Sequence, residues 1–139
     1  VVFAVSSDGR SGKIVSMREP SDERTAWAKG SERRKSIGAT DKYDGEKNMA
    51  IVKRIYDWKT NYPAFAWCAN LGPDWYLPAI DELKLLLLRN NVYNAVNTTL
   101  VRRGAKKISN RMDKEFYWSS TEQGYFHAER VNVYGIGTG

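Results

Sequence analysis

Two short runs rich in β-branched and aromatic residues open the chain, Val1 to Val5 and Lys13 to Met17. The spacer between them, Ser6-Ser7-Asp8-Gly9-Arg10-Ser11-Gly12, is full of turn formers, so the pattern predicts an opening β-hairpin. From Arg18 to Gly45 the chain is polar and irregular, with one apolar anchor around Trp27. Loops of that length in a small domain are usually functional or mobile. A helical period then sets in. Met49, Val52, Ile55, Tyr56 and Lys59 fall three or four apart, predicting a helix over Glu46 to Thr60 with its apolar members on one face. Asp44-Gly45 supplies its start signal.

Tyr62-Pro63 interrupts the pattern, and Ala64 to Leu71 reads as a short helical turn carrying Phe65, Trp67 and Cys68 inward. Gly72-Pro73 closes it. A second helix is predicted over Ile80 to Arg89, with Leu83, Leu86 and Leu87 as its buried stripe. A third runs from Asn91 to Arg103, where Val92, Tyr93, Val96 and Leu100 share a face and Gly104 is a natural stop. Phe116 to Ser119 and Tyr125 to Val133 read as strands joined by a Thr121-Glu122-Gln123-Gly124 turn. Strands, then helices, then strands imply an α+β domain, two to three helices packed on a twisted antiparallel sheet.

Composition narrows the class. A chain of 139 residues suits one domain, residues 1–139, and is short for two. A hydrophobic fraction of 42% and a charged fraction of 27% are those of a globular protein. No apolar run approaches the roughly 20 residues that span a bilayer, so no membrane insertion is expected. Cys68 is the single cysteine, which excludes an intrachain disulfide and reads as a small core hydrophobe. The net charge of +6 would suit sulfated glycans or other anionic surfaces. Its basic residues gather at Arg33-Arg34-Lys35 and at Arg102, Arg103, Lys106 and Lys107. No nucleic-acid module accompanies them, and no nucleic-acid partner is expected.

Two segments some forty residues apart carry a resemblance. Trp75-Tyr76-Leu77-Pro78-Ala79-Ile80-Asp81-Glu82-Leu83 reads as a strand end running into a helix, and Tyr117-Trp118-Ser119-Ser120-Thr121-Glu122 as an aromatic strand ending in hydroxyls. Together they resemble the signature of the bacterial Lcl C-terminal domain family of collagen-like adhesins. Weaker matches follow in the same order: Gly12-Lys13-Ile14-Val15-Ser16, Trp27, Asp44-Gly45, Tyr62-Pro63-Ala64 with Trp67-Cys68, and Val96-Asn97 with Leu100. The resemblance implies a C-type-lectin-like fold, related to formylglycine-generating enzymes and to lectin-like proteins diversified by retroelements. It also implies a bacterial surface or extracellular location, with any signal or anchor not visible; Val1 in place of Met fits a processed form.

Departures from the family pattern are specific. Members carry Ser or Thr where Ala79 stands, three residues before Glu82, forming a capping box. Loss of that hydroxyl should weaken the helix start by roughly 1 kcal/mol. Beyond the second signature members have Ala, two aromatics and Val-Asn-Phe, whereas this chain has Ala128, Glu129, Arg130 and Val131-Asn132-Val133. A last family strand has no counterpart before Gly139, so the expected domain lacks it and leaves a sheet edge open.

Physically the signature residues specify structure: Trp75, Leu77 and Trp118 as apolar strand positions, Pro78 as the strand-to-helix corner, and Ser119, Ser120 and Thr121 as holders of an irregular turn through nearby backbone. Ligand contacts are then expected at Tyr125, His127, Glu129, Arg130 and Tyr134 near the last strand, and at Arg102, Arg103, Lys106 and Lys107. Tyr and Arg are frequent anchors of binding surfaces. Catalysis is not expected: Cys68 sits in an apolar stretch, and His127 is the only histidine a triad could use. Zinc lacks its usual ligands and calcium its loop spacing, although Asp41, Asp44 and Glu46 are oxygen-rich neighbours. The sequence therefore implies no metal or cofactor and a calcium-independent adhesion domain for a sulfated glycan or a protein ligand. The alternatives are an assembly module of a larger surface or phage-tail protein, or a retroelement-diversified variable ligand-binding protein.

Overall fold

The computed structural model describes residues 1–20, 25–110, 117–122, 128–132 and 135–138. It is a mixed helix-and-strand structure with two small antiparallel sheets where the sequence pattern implied one. Strands β1 (Val2–Val5) and β2 (Gly12–Ile14) form the opening hairpin. A 3-10 turn at Gly30–Arg34 lies in the long loop. Five α-helices follow among the described residues: α1 (Gly45–Val52), α2 (Trp58–Asn61), α3 (Pro63–Asn70), α4 (Ile80–Leu88) and α5 (Asn90–Arg102). Strands β3 (Tyr117–Glu122), β4 (Ala128–Asn132) and β5 (Gly135–Thr138) make the second sheet, in that order.

Helices α4 and α5 lie within about a residue of their predicted bounds. The helix predicted over Glu46 to Thr60 is instead two, α1 and α2. Asp57 takes a left-handed conformation, φ 60°, and breaks the run. In one continuous helix Tyr56 would join Met49 and Val52 on the buried face. The break turns it out to 94% exposure and brings Trp58 against the core in its place. Asp44 starts α1, its Oδ1 accepting the Glu46 N–H at 3.0 Å. Of the predicted final strand, Tyr125 to Val133, the part within the described residues is β4, Ala128–Asn132, and β5 is an element the sequence pattern did not reveal. Thr121 and Glu122, read from the sequence as a turn, belong to strand β3 and are buried.

The core has two parts. One gathers Trp27, Met49, Val52, Tyr62, Phe65 and Leu77, with Ile55, Trp58, Cys68 and Trp118 packed on it. The rings of Trp27, Tyr62 and Phe65 meet edge to face at centroid separations of 5.2 to 6.2 Å. Such pairs add about 0.5–1.5 kcal/mol each beyond area burial. The other part joins α4 to α5 through Ile80, Leu83, Leu86, Leu87, Val96, Leu100 and Ile108, and the hairpin covers it with Val1, Phe3 and Val15. Cys68 and Trp67 are only half-buried, less inward than the sequence implied.

Candidate functional site

The hydroxyl-rich strand β3 is the first place to look for chemistry, and its side chains are consumed by structure. Ser119, Ser120, Thr121 and Glu122 are all buried. Ser119 Oγ accepts the Thr121 N–H at 3.2 Å, the local bond its sequence implied, while Ser120, Thr121 and Glu122 find side-chain partners distant in sequence. Ser120 Oγ accepts from Asn48 Nδ2 at 2.9 Å, while Asn48 also donates to the Asp41 carbonyl at 2.8 Å. Thr121 Oγ1 donates to the Asp41 carbonyl at 2.8 Å and accepts the Ile80 N–H at 3.0 Å. Glu122 accepts from Ser36 Oγ at 2.9 Å and from the N–H groups of Ile37 and Gly38 at 3.0 and 2.6 Å. The Ser119 carbonyl accepts the Trp27 indole N–H at 2.8 Å. The strand stitches the long loop, α1 and α4 to the second sheet.

The start of α4 shows how Ala79 is accommodated. Glu82 Oε1 accepts the Ala79 N–H at 3.0 Å, the half of a capping box that needs no hydroxyl. The next donors are met from elsewhere: Ile80 by Thr121, and Asp81 by the Lys42 carbonyl at 2.9 Å. Helix start and strand are thus bonded in tertiary structure. Glu82, 5% exposed, further accepts from the Gly45 N–H at 2.8 Å, the Tyr76 hydroxyl at 2.5 Å and the Lys13 ammonium. Gly45 must lack a side chain, because a Cβ there would lie 2.5 Å from both the Leu77 carbonyl oxygen and the Tyr76 ring. Burial first, and the Glu82 carboxylate second, push the Tyr76 phenol well above its usual value.

Cys68, Asp41 and Asp44 are the described groups nearest in type to a nucleophile or a metal ligand. Burial pushes the Cys68 thiol up to about 12, away from the thiolate form. Asp41 is held below the usual carboxylate range by the N–H groups of Tyr43 and Asp44, both at 2.8 Å. Asp44 is occupied in capping α1. No three His, Cys, Asp or Glu side chains among the described residues are placed to share a metal ion. No helix of the described residues is long and apolar enough to cross a membrane.

Of the sequence-predicted contacts, Arg102 and Arg103 lie at the C-terminal end of α5, with Lys106 and Lys107 just beyond, all four exposed. Lys106 reaches Glu19 at 3.5 Å. Tyr125, His127 and Tyr134 lie outside the described residues. Glu129 and Arg130 are consecutive in β4, paired in register with Thr138 and with Trp118 and Gly137. The structure therefore gathers the basic four at one helix end, and places the other two on a strand that packs against α4. Tyr56, whose helical spacing from Met49 and Val52 reads as a core position, is instead exposed, beside the exposed Lys53 and Arg54. No family model, no curated protein and no solved structure matches this chain.

Proposed function

We propose that this chain is a non-catalytic recognition domain of a bacterial cell surface, of C-type-lectin-like class, that binds an anionic glycan without calcium. One observation carries the reading. The end of α5 exposes Arg102, Arg103, Lys106 and Lys107, and the sequence holds no Asp or Glu from Leu83 through Met112. A helix C-terminus favours a cation within its last turn, which accounts for Arg102. Lys106 and Lys107 lie past that end, so the dipole does not explain them. Sulfate and carboxylate groups along a polysaccharide fit such a cluster, Arg supplying forked donors and Lys point charges.

The non-catalytic part is supported by the fate of the hydroxyls, which are buried and bonded to the framework. A second reading, an assembly module, is favoured by Val2, Val5, Ile14 and Met17, which leave 51–64% of their surface exposed in and beside the opening hairpin.

The test is a glycan array at low and high salt, with and without a calcium chelator, followed by heparin affinity of the Arg102→Glu/Arg103→Glu double variant. Binding to sulfated glycans should fade with salt, ignore the chelator, and weaken about tenfold or more in the variant. Chelator-sensitive binding, or an unchanged variant, sinks the proposal. Self-association of the chain without any glycan binding moves the weight to assembly.

A further inference from the structure

The turn between α1 and α2 presents one aromatic side chain to solvent while its neighbours hold it in place. Ile55 and Trp58 both pack on the first core cluster. Tyr56, between them, is 94% exposed. The turn is bonded throughout: Ile55 N–H to the Val52 carbonyl at 2.9 Å, Asn61 N–H to the Asp57 carbonyl at 3.1 Å, and Tyr62 N–H to the Trp58 carbonyl at 2.8 Å. Asp57, φ 60°, is the only non-glycine residue with positive φ among the described residues. Asp tolerates that region better than most side chains, though at a cost. The conformation is what allows Trp58 to reach the core while Tyr56 stands outside.

Cations surround the ring in sequence. Lys53 and Arg54 are exposed and have no side-chain hydrogen bond or ion pair among the described residues. The Lys59 ammonium lies 5.9 Å from the centre of the Trp58 ring. With the backbone of the turn already bonded, docking here orders side chains rather than main chain, and Tyr with Arg is a pair of residue types that dominates interface energetics.

We propose that this turn is a second binding site, taking a segment of a protein partner in which carboxylates alternate with apolar side chains. Charge composition selects that occupant. Within the turn, Lys53 to Lys59, the cations Lys53, Arg54 and Lys59 stand with one carboxylate, Asp57. A dense polyanion meets the Asp57 carboxylate here and leaves the Tyr56 ring unused, whereas the end of α5 offers it Arg102, Arg103, Lys106 and Lys107. A segment with spaced charges sets its carboxylates on Lys53, Arg54 and Lys59 and its apolar side chain on Tyr56. This site does not depend on the glycan reading.

The test is a titration of the 15N-labelled chain, by amide chemical shift, with an acetylated octapeptide of alternating glutamate and leucine, and in parallel with a heparin-derived octasaccharide. The peptide should shift the amides of Lys53 to Lys59. Tyr56→Ala and Arg54→Glu should each weaken it about fivefold or more without changing the melting temperature. Unmoved amides in that segment, variants that bind as the parent does, or an octasaccharide that shifts those amides as strongly as the peptide, each overturn the proposal. Glycan binding at α5 is read from other amides, so the two readings fail separately.

Discussion

Thr121 Oγ1 accepts the Ile80 N–H at 3.0 Å, so a strand hydroxyl completes the start of a helix 41 residues earlier in the chain. The same hydroxyl donates to the Asp41 carbonyl at 2.8 Å, tying the loop before α1 into the junction. Thr121→Val keeps the shape and removes both bonds, leaving the buried Ile80 N–H without this partner while the Asp41 carbonyl keeps its bond from Asn48. The expected loss is about 2 kcal/mol, within the usual range for orphaned buried groups. Thr121→Ser retains the hydroxyl and should lose only about 1 kcal/mol for the missing methyl. Urea melts followed by circular dichroism decide it; equal losses in both variants would remove the capping role.

Glu82 is a harder junction to lose. Its carboxylate receives Lys13 from the hairpin, Gly45 from the start of α1, Tyr76, and its own helix start at Ala79. Glu82→Gln keeps the volume and replaces one accepting oxygen with a donor amide. That places NH2 against donors and strands the Lys13 charge. A loss of about 2–3 kcal/mol is expected. Lys13→Met should cost less, since the lysine is 40% exposed and Glu82 keeps its bonds from Gly45, Tyr76 and Ala79. A double variant less destabilised than the sum of the two singles would show that they share the interaction.

How much of this was legible in the sequence depends on the range of the interaction. Periodicity located α4 and α5 because Leu83, Leu86 and Leu87, and Val96 and Leu100, read out helical geometry directly. The same rule failed at Tyr56, where a left-handed Asp57 broke the helix; Asp carries no strong signal for that conformation. Glu82 was recognisable as half of a capping box. Its bonds to Lys13 and Gly45 were not, because they span 69 and 37 residues. The hydroxyls of β3 were read as turn formers since Ser and Thr most often bond locally. Ser119 does bond locally, to the Thr121 N–H, but the partners of Ser120 and Thr121 at Asn48, Asp41 and Ile80 exist only once the sheet and helices have met. The basic end of α5 was legible from charge alone because its residues are local in sequence, whereas the approach of Glu19 to Lys106, 87 residues away, was not.

Cys68 offers a check on the catalytic question. Burial holds its thiol near 12, so the thiolate is scarce at ordinary pH. Modification by iodoacetamide at pH 8 should be slow in the folded protein and fast in denaturant. A thiol that reacts in the folded state as fast as in denaturant would contradict the burial, and would reopen nucleophilic chemistry at this position.

The last prediction concerns alkaline stability. Tyr62 donates to Glu32 Oε2 at 3.0 Å and Tyr76 to Glu82 Oε2 at 2.5 Å. Burial is the larger cause, and the carboxylates the smaller, of phenols held well above their ordinary value of 10.0. The folded state therefore favours the neutral phenol, while the unfolded chain begins to release these protons near pH 10. The stabilisation is fully present below that pH and is lost as pH rises above it, because the unfolded state then binds fewer protons than the folded one. The urea midpoint should fall steeply from about pH 10 upward. Tyr62→Phe and Tyr76→Phe should each lower stability at pH 7 through the lost hydrogen bond, yet flatten the alkaline slope. Absorbance at 295 nm provides the independent reading. The phenolate signal of these two rings, read as the difference between the parent and the two Phe variants, should appear together with unfolding, and its appearance while the native dichroism persists would show that burial does not hold them neutral.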